Sequence, residues 1–328
     1  MSDAARAIET APTRELRMEQ ALFRGANLSL QNPVYRSAFR SMVDALLLPD
    51  LSPSDITFES LGIADSDSTA VILARETGIV AGLEEAAALY TEHGCEAHPA
   101  KRDGDSVESG EILLRIGGNR SQLLALERVV LNLMQRMSGI ATATRRLSDL
   151  ARAARPTVRV VGTRKTPWGL LDKRALHLGG GGTHRLGLGD AILIKNNHLA
   201  LLAPREEEAA PLAVERAWRR RRDAAFIEVE VRSTPAAIAA AGTFRDLLDE
   251  SRDAFPCLIL LDNMRPAEME ATITELDVRK LRDSVLLEAS GNVDESNVAS
   301  YAASGVDAIS SGALTHSPRA LDLSQRIV

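Results

Sequence analysis

Cysteine is nearly absent: only Cys95 and Cys257 occur in 328 residues. Two cysteines build no disulfide framework, and no paired zinc spacing accompanies them, so the expected setting is a reducing cytoplasm. Aromatic residues are also scarce, at 3% against 45% apolar residues overall. The core must then be made from Ala, Leu, Val and Ile, which suits helices packed on a parallel sheet. An excess of positive charge is missing too. Lys and Arg number 39 against 45 Asp and Glu, a formal charge of -6, so the chain as a whole repels nucleic acid and anionic membranes, and any basic site is local. No apolar run approaches the length that spans a bilayer, and the opening MSDAARAIETAPTRELRMEQ has no apolar h-region. These absences predict a cytoplasmic enzyme or binding protein with neither membrane nor nucleic acid as a partner.

What is present predicts two domains, since 328 residues exceed one ordinary compact unit. Residues 1 to 25 read as a loose or helical extension, followed by an apolar-periodic stretch over Ala38–Leu48 that Pro49 stops. Short apolar runs between turn residues come next, at Asp55–Phe58, Ser68–Ala74, Gly78–Gly82 and Glu111–Ile116, with a helical Leu83–Tyr90 among them. This describes a small α+β unit. Ser121–Ala154 carries helical spacing throughout, with Gly139 as its expected break or kink. After Pro156, strand-like runs alternate with helical patterns, the signature of repeated βα units. The runs are Val158–Gly162, Ala191–Ile194, Phe226–Val231, Leu258–Leu261, Val285–Leu287 and Ala308–Ile309, with an extra helix expected over Phe244–Phe255. Arg219–Arg222 reads as a solvated helix face.

Nearly every one of these runs delivers a polar residue or glycine at its carboxyl end. They are Arg164 and Lys165, Lys195, Glu230, Asp262 with Asn263, Ser290 with Gly291, and Ser311 with Gly312. An α/β barrel places its chemistry at that rim. Two cations in GTRKTPWG call for an anion, with Arg gripping a carboxylate or phosphate in a fork and Lys adding a compact charge. Four glycines lead into His184 and Arg185, and Lys195 and His198 follow the next run. Glu230 and Asp262, with Glu228 as a second candidate on the same side, suit magnesium, ribose hydroxyls or a developing cation at carbon. EASGN and AISSGALTHS each join a strand to small residues and a helix start, an arrangement that binds phosphate, with His316 as an added donor. His177 reads as a cap or core histidine, and His93, Cys95 and His98 lack the partners of a tetrahedral metal site. On these residues alone Lys195 also suits a Schiff-base lyase.

Taken together, the motifs resemble the quinolinate phosphoribosyltransferase family from about Asp55 to Leu323. They include RETGIVAG, LLALERVVLNLMQRMSGIAT, GTRKT, GGGGTHRLGL, ILIKNNH, EVEV, LLDNM, EASGNV and SGVDAISSGALTHS. The resemblance implies an α/β protein with an N-terminal α/β sandwich domain and an incompletely closed, TIM-like α/β barrel. The implied bounds are 1–133 for the extension and sandwich, 134–310 for the barrel, and 311–328 for a segment that completes the barrel or returns to the sandwich. It implies a magnesium-dependent pentosyltransferase of NAD biosynthesis. Quinolinate and phosphoribosyl pyrophosphate would give nicotinate mononucleotide, pyrophosphate and carbon dioxide.

By motif, Arg128, Arg164, Lys165, His184, Arg185 and Lys195 match the basic pocket for the dicarboxylate. Glu230 and Asp262 match the acidic pair near ribose and magnesium, and Ser290, Gly291, Asn292, Ser311, Gly312 and His316 match the 5-phosphate region. Lys165, Lys195, Glu230 and Asp262 are the implied catalytic set. A homodimer or higher oligomer is implied, with Arg128 reaching the neighbour's site. The chain departs from the family pattern at Asn196, at Thr183 and in PWGLLDKRAL after Lys165. These departures keep open a related transferase with another acceptor, as in the molybdenum-associated paralogues, and a non-catalytic ligand-binding relative.

Overall fold

The structure, a computed structural model, describes residues 13–49, 55–252 and 254–328. The first twelve residues of the expected extension lie outside that range, and its remainder forms helix α1, Arg14–Leu22. The chain divides into two compact units. Among the described residues, one contains those of 23–186, 292–299 and 310–328; the other contains those of 13–22, 187–291 and 300–309.

In the first of these, α2 (Pro33–Leu47) and α3 (Ile56–Ser60) precede a mixed set of short elements. They are β1 (Asp67–Ala74), β2 (Gly78–Ile79), α4 (Leu83–Glu92), β3 (Glu96–Pro99), β4 (Ser106–Val107) and β5 (Ile112–Asn119). The expected strand-like run at Asp55–Phe58 is instead the start of α3. Asp55 accepts from the Phe58 N–H at 3.0 Å and caps the helix, a signal that outweighs the run's apolar pattern. Helix α5 (Arg120–Ala154) then runs 35 residues without interruption, so Gly139 does not break it. Strand β6 (Arg159–Gly162) and α6 (Leu170–Leu178) follow.

The antiparallel sheet of this unit has the order β12-β1-β5-β3, where β12 is Leu323–Ile327. Alternation along β1 and β5 buries Ala70, Ile72, Leu114 and Ile116. Helices α4 and α5 pack against the same sheet and contribute Leu83, Leu89, Leu126, Val130 and Met134 to the core. Aliphatic side chains dominate, as the scarcity of aromatics requires.

A charged cluster fastens α2 to α4 and α6 in this unit. Arg174 of α6 meets Glu85 at 3.0 Å and Asp103 at 3.3 Å, and it also pairs with Glu84. Tyr35 of α2 donates its hydroxyl to Glu85, and its ring centroid stands 5.6 Å from the guanidinium. Burial, opposed by Arg174 and reinforced by Asp103, pushes the Glu85 carboxyl up to about 7. Because the folded state holds this proton more tightly than the unfolded chain, the stabilisation is complete below about pH 4.5 and lost as pH rises through 7. Glu85→Gln should therefore remove about 1–3 kcal/mol of pH-dependent stability between pH 5 and 8. Urea unfolding of both proteins at the two pH values checks this, and parallel pH profiles would refute it.

The other unit carries the alternating elements. After α1 come β7 (Ile192–Ile194), α7 (Asn196–Ala200), α8 (Glu206–Trp218), β8 (Ile227–Val231), α9 (Thr234–Ser251), β9 (Cys257–Asp262), α10 (Pro266–Val278) and β10 (Leu286–Ser290). Helix α11 (Val298–Ala303) and β11 (Ala308–Ser311) are divided between the units. Strands β7 to β11 form a parallel sheet in the order β11-β10-β9-β8-β7. The expected helix over Phe244–Phe255 is not separate: α9 continues unbroken from Thr234 to Ser251. Arg219–Arg222 is not a helix face either, because α8 ends at Trp218. Arg221 instead folds back over the Trp218 ring at 4.0 Å and donates to the Trp218 carbonyl. No helix of the described residues is long and apolar enough to cross a membrane. Helix α12 (Ala313–His316) leads towards β12.

Candidate active site

The candidate residues fall in both units, and each set is built by its own strands. In the parallel sheet the register pairs Leu193 with Glu228, Glu228 with Leu258, Glu230 with Leu260, Leu260 with Glu288, and Asp262 with Ser290. Residues paired in register point to the same face, and side chains alternate along each strand. Leu193, Glu228, Glu230, Asp262, Glu288 and Ser290 therefore share one face. Lys195 follows Leu193 by two residues and continues that face past the end of β7.

At the carboxyl ends of these strands the polar groups are held by short-range bonds. The Asn196 N–H donates to Glu230 Oε1 at 3.4 Å, and Arg232 Nε stands 3.4 Å from Asp262 Oδ2. Asn263 donates its side-chain amide to Asp262 Oδ1 at 3.0 Å and its backbone N–H to the Ser290 carbonyl at 2.8 Å. Gly291 has φ +117, and a Cβ there would stand 2.4 Å from Asn263 Oδ1, so only glycine leaves this turn undisturbed. Lys195 is exposed, and its backbone N–H donates to His198 Nδ1 at 2.9 Å. That bond makes His198 an orienting group for the start of α7.

The second set belongs to the unit that holds β6. The glycine run does not form a free phosphate cradle: Gly182 bridges in parallel to Val161, donating to the Val160 carbonyl while its own carbonyl accepts from Gly162. The backbone thus forms an additional short rung beside β6. His184 follows it, buried and at φ 53, and its Nδ1 accepts the Arg185 N–H at 2.8 Å. Thr183 is fully buried; its hydroxyl accepts the Arg24 N–H at 3.1 Å and its carbonyl accepts from Lys173 Nζ.

Arg164 and Lys165 emerge exposed beyond β6. The Thr315 hydroxyl donates to the Lys165 carbonyl at 2.8 Å, and Lys165 Cδ stands 3.2 Å from where a Gly312 Cβ would lie. Lys165, Gly312 and His316 are accordingly neighbours. Ser311 is buried and donates its hydroxyl to the Val293 carbonyl at 2.7 Å, so it orders the 292–299 segment rather than presenting a free donor. Asn292, at φ 49, accepts from the Asn297 amide. Arg128 is exposed on α5 in a groove with Asp55, Phe58, Leu61, Leu124 and Glu127, which contains no other candidate residue.

Three participants were missed by the sequence reading. Glu288 is a fully buried carboxylate on the same sheet face as Glu230; pairing its run with LILLD in register would have exposed it. Arg232 and Asp172 had no motif to mark them. His177, by contrast, is half-buried in the last turn of α6: burial first, then Arg174, holds its pKa below the ordinary value.

Comparison with known proteins agrees with this architecture. Residues 55–138 match the family described as quinolinate phosphoribosyl transferase, N-terminal domain, and residues 140–326 match its C-terminal domain. A probable nicotinate-nucleotide pyrophosphorylase (carboxylating) of Methanothermobacter thermautotrophicus is 39% identical over 292 residues, covering 87% of this chain and 98% of the relative. The chloroplastic nicotinate-nucleotide pyrophosphorylase (carboxylating) of Arabidopsis thaliana is 38% identical, covering 83% of this chain and 78% of the relative. Among solved structures, the nicotinate-nucleotide pyrophosphorylase from Francisella tularensis superposes with a TM-score of 0.76 at 28% identity, covering 89% of this chain and 96% of that one. With both domains matched in order over most of the sequence, the chain belongs to the quinolinate phosphoribosyltransferase family.

Proposed function

We propose that the protein transfers the phosphoribosyl group of phosphoribosyl pyrophosphate to quinolinate and decarboxylates the adduct, giving nicotinate mononucleotide for NAD biosynthesis. The observation that carries this reading is the single sheet face that brings Glu230, Asp262 and Ser290 to adjacent strand ends, continued by Lys195. The bond between ribose C1 and the pyrophosphate oxygen breaks as the pyridine nitrogen attacks C1. Carboxylates near C1 stabilise the positive charge that develops there, and no strong general base is needed. The carbon–carbon bond to the adjacent carboxylate then breaks, its electron pair is held by the pyridinium, and a proton takes its place. The protein's work is positioning and charge.

Lys195, Arg164, Lys165, His184 and Arg185 supply positive charge for the dicarboxylate, Lys165 also reaching the donor's phosphates because it neighbours Gly312, with Arg128 contributed by a second subunit of a homodimer or higher oligomer. Ser290, Gly291, Asn292, Ser311, Gly312 and His316 form the 5-phosphate region. Glu230 and Asp262 fit magnesium: both are half-buried oxygen donors on neighbouring strands, and magnesium takes one or two carboxylates with phosphate and water. A magnesium ion held there would supply charge neutralisation for the pyrophosphate of the donor. The functional division at 133/134 and 310/311 is retained; pairing of β12 with β1 supports a final segment that returns to the sandwich. A reducing cytoplasm suits the two free cysteines.

The test is formation of nicotinate mononucleotide from quinolinate and phosphoribosyl pyrophosphate, with and without magnesium. Pyrophosphate release with a different acceptor, and none with quinolinate, would replace the acceptor. No release with any acceptor would remove the transferase reading.

A further inference from the structure

The turn after Lys165, where the sequence departs from the family pattern, has its own brace. Arg136 of α5 donates from Nε to Asp172 Oδ1 at 2.9 Å and from Nη2 to Asp172 Oδ2 at 2.7 Å. The same Nη2 donates to the Thr315 carbonyl at 2.9 Å, and the guanidinium stands 5.2 Å from the Trp168 ring centroid. Asp172 of α6 is fully buried and also accepts from the Thr166 hydroxyl. Thr166 in turn accepts the backbone N–H groups of Trp168 at 3.2 Å and Gly169 at 3.1 Å. Segments that are remote in sequence meet on one guanidinium.

Packing alone does not require this arrangement, because well-packed apolar residues replace a buried ion pair at little or no loss of stability. What the pair adds is geometry: a bidentate Arg–carboxylate contact fixes position and plane together. One carboxylate oxygen holds Thr166, and one guanidinium nitrogen holds the Thr315 carbonyl. These two threonines flank Lys165, the first as its chain neighbour and the second through the bond to its carbonyl.

We propose that Arg136 and Asp172 are positioning residues for Lys165. They hold the Thr166 turn and the Gly312–His316 turn in one frame, so that the Lys165 ammonium and the backbone beside Gly312 address the same phosphate oxygens. The substrate named here rests on the phosphoribosyl-transfer reading; the anion site is tested separately from it.

The experiment titrates inorganic pyrophosphate into the intact protein by calorimetry and measures the KM for phosphoribosyl pyrophosphate. Thr166→Val is expected to raise both constants at least tenfold with an unchanged number of binding sites. A merely structural defect would lower the number of competent sites and leave the dissociation constant alone. Arg136→Met leaves Asp172 buried without its partner, so the paired variant Arg136→Met with Asp172→Leu keeps the protein folded while removing the frame. It should show the same tenfold weakening. Added to Lys165→Ala, the paired change should cause less than a further twofold loss, since it acts through Lys165. Wild-type affinity in the paired variant and in Thr166→Val, or full additivity with Lys165→Ala, would overturn the proposal. If the wild type forms no nicotinate mononucleotide but its variants still lose pyrophosphate affinity, the transfer reading fails and the positioning role stands.

Discussion

Lys195→Ala is expected to lower kcat/KM for nicotinate mononucleotide formation by about a thousandfold, the scale for removing one partner of a desolvated, hydrogen-bonded charge pair. Lys195 is exposed at the end of β7, and its ammonium has no hydrogen bond or ion pair among the described residues. The fold therefore does not depend on it, and thermal unfolding should stay within a degree or two of wild type. A cation kept without a protein partner at a strand end beside carboxylates is available to a ligand. Much of the loss should appear in the KM for quinolinate, whose carboxylates need the charge. Arginine at this position should recover only part of the activity, because its planar fork replaces a compact ammonium. Borohydride added with substrate should leave the wild-type enzyme active, which separates this role from a Schiff-base lysine. Variant turnover within tenfold of wild type would dismiss Lys195 from the site.

The largest expected loss of stability comes from one added methyl group. Gly139 lies buried in the middle of α5, and a Cβ there would stand 2.1 Å from the Arg319 carbonyl oxygen and 3.0 Å from Ala320 Cα. Alanine favours a helix over glycine by about 1 kcal/mol, but no backbone can accept that overlap without moving. Gly139→Ala should therefore destabilise the protein by about 2–3 kcal/mol net, near the upper range for overpacking. The corresponding drop in Tm is about 3–4 °C for a chain of this length. Residues 319–320 lead into β12, so hydrogen exchange should accelerate first in Leu323–Ile327. An unchanged melting temperature would show that the segment yields freely.

The barrel was legible because its code is local. Runs such as Phe226–Val231 and Leu258–Leu261 are long enough to read as strands, and the polar residue after each announces the rim. The long helix was legible for the same reason, since its apolar spacing persists across many turns. Asp55–Phe58 was misread because a capping aspartate carries more information than two apolar neighbours. Gly139 was misread because its purpose is set by a carbonyl 180 residues away, which no propensity encodes. The brace at Arg136 was invisible for a related reason: Asp172 lies 36 residues on and Thr315 179 residues on. Glu288 escaped notice because its meaning depends on strand register, not on its own neighbours. The candidate site was therefore readable as residue types at strand ends, while the parts that hold those residues in place were not.

Strand β12 pairs along its length with β1, from Ala74 with Leu323 to Ala70 with Ile327. During synthesis β1 must wait for some 250 further residues before its outer neighbour exists, so that edge stays open while everything between is made. The growing chain consequently needs its nascent sheet shielded, and β12 is the latch that ends that exposure.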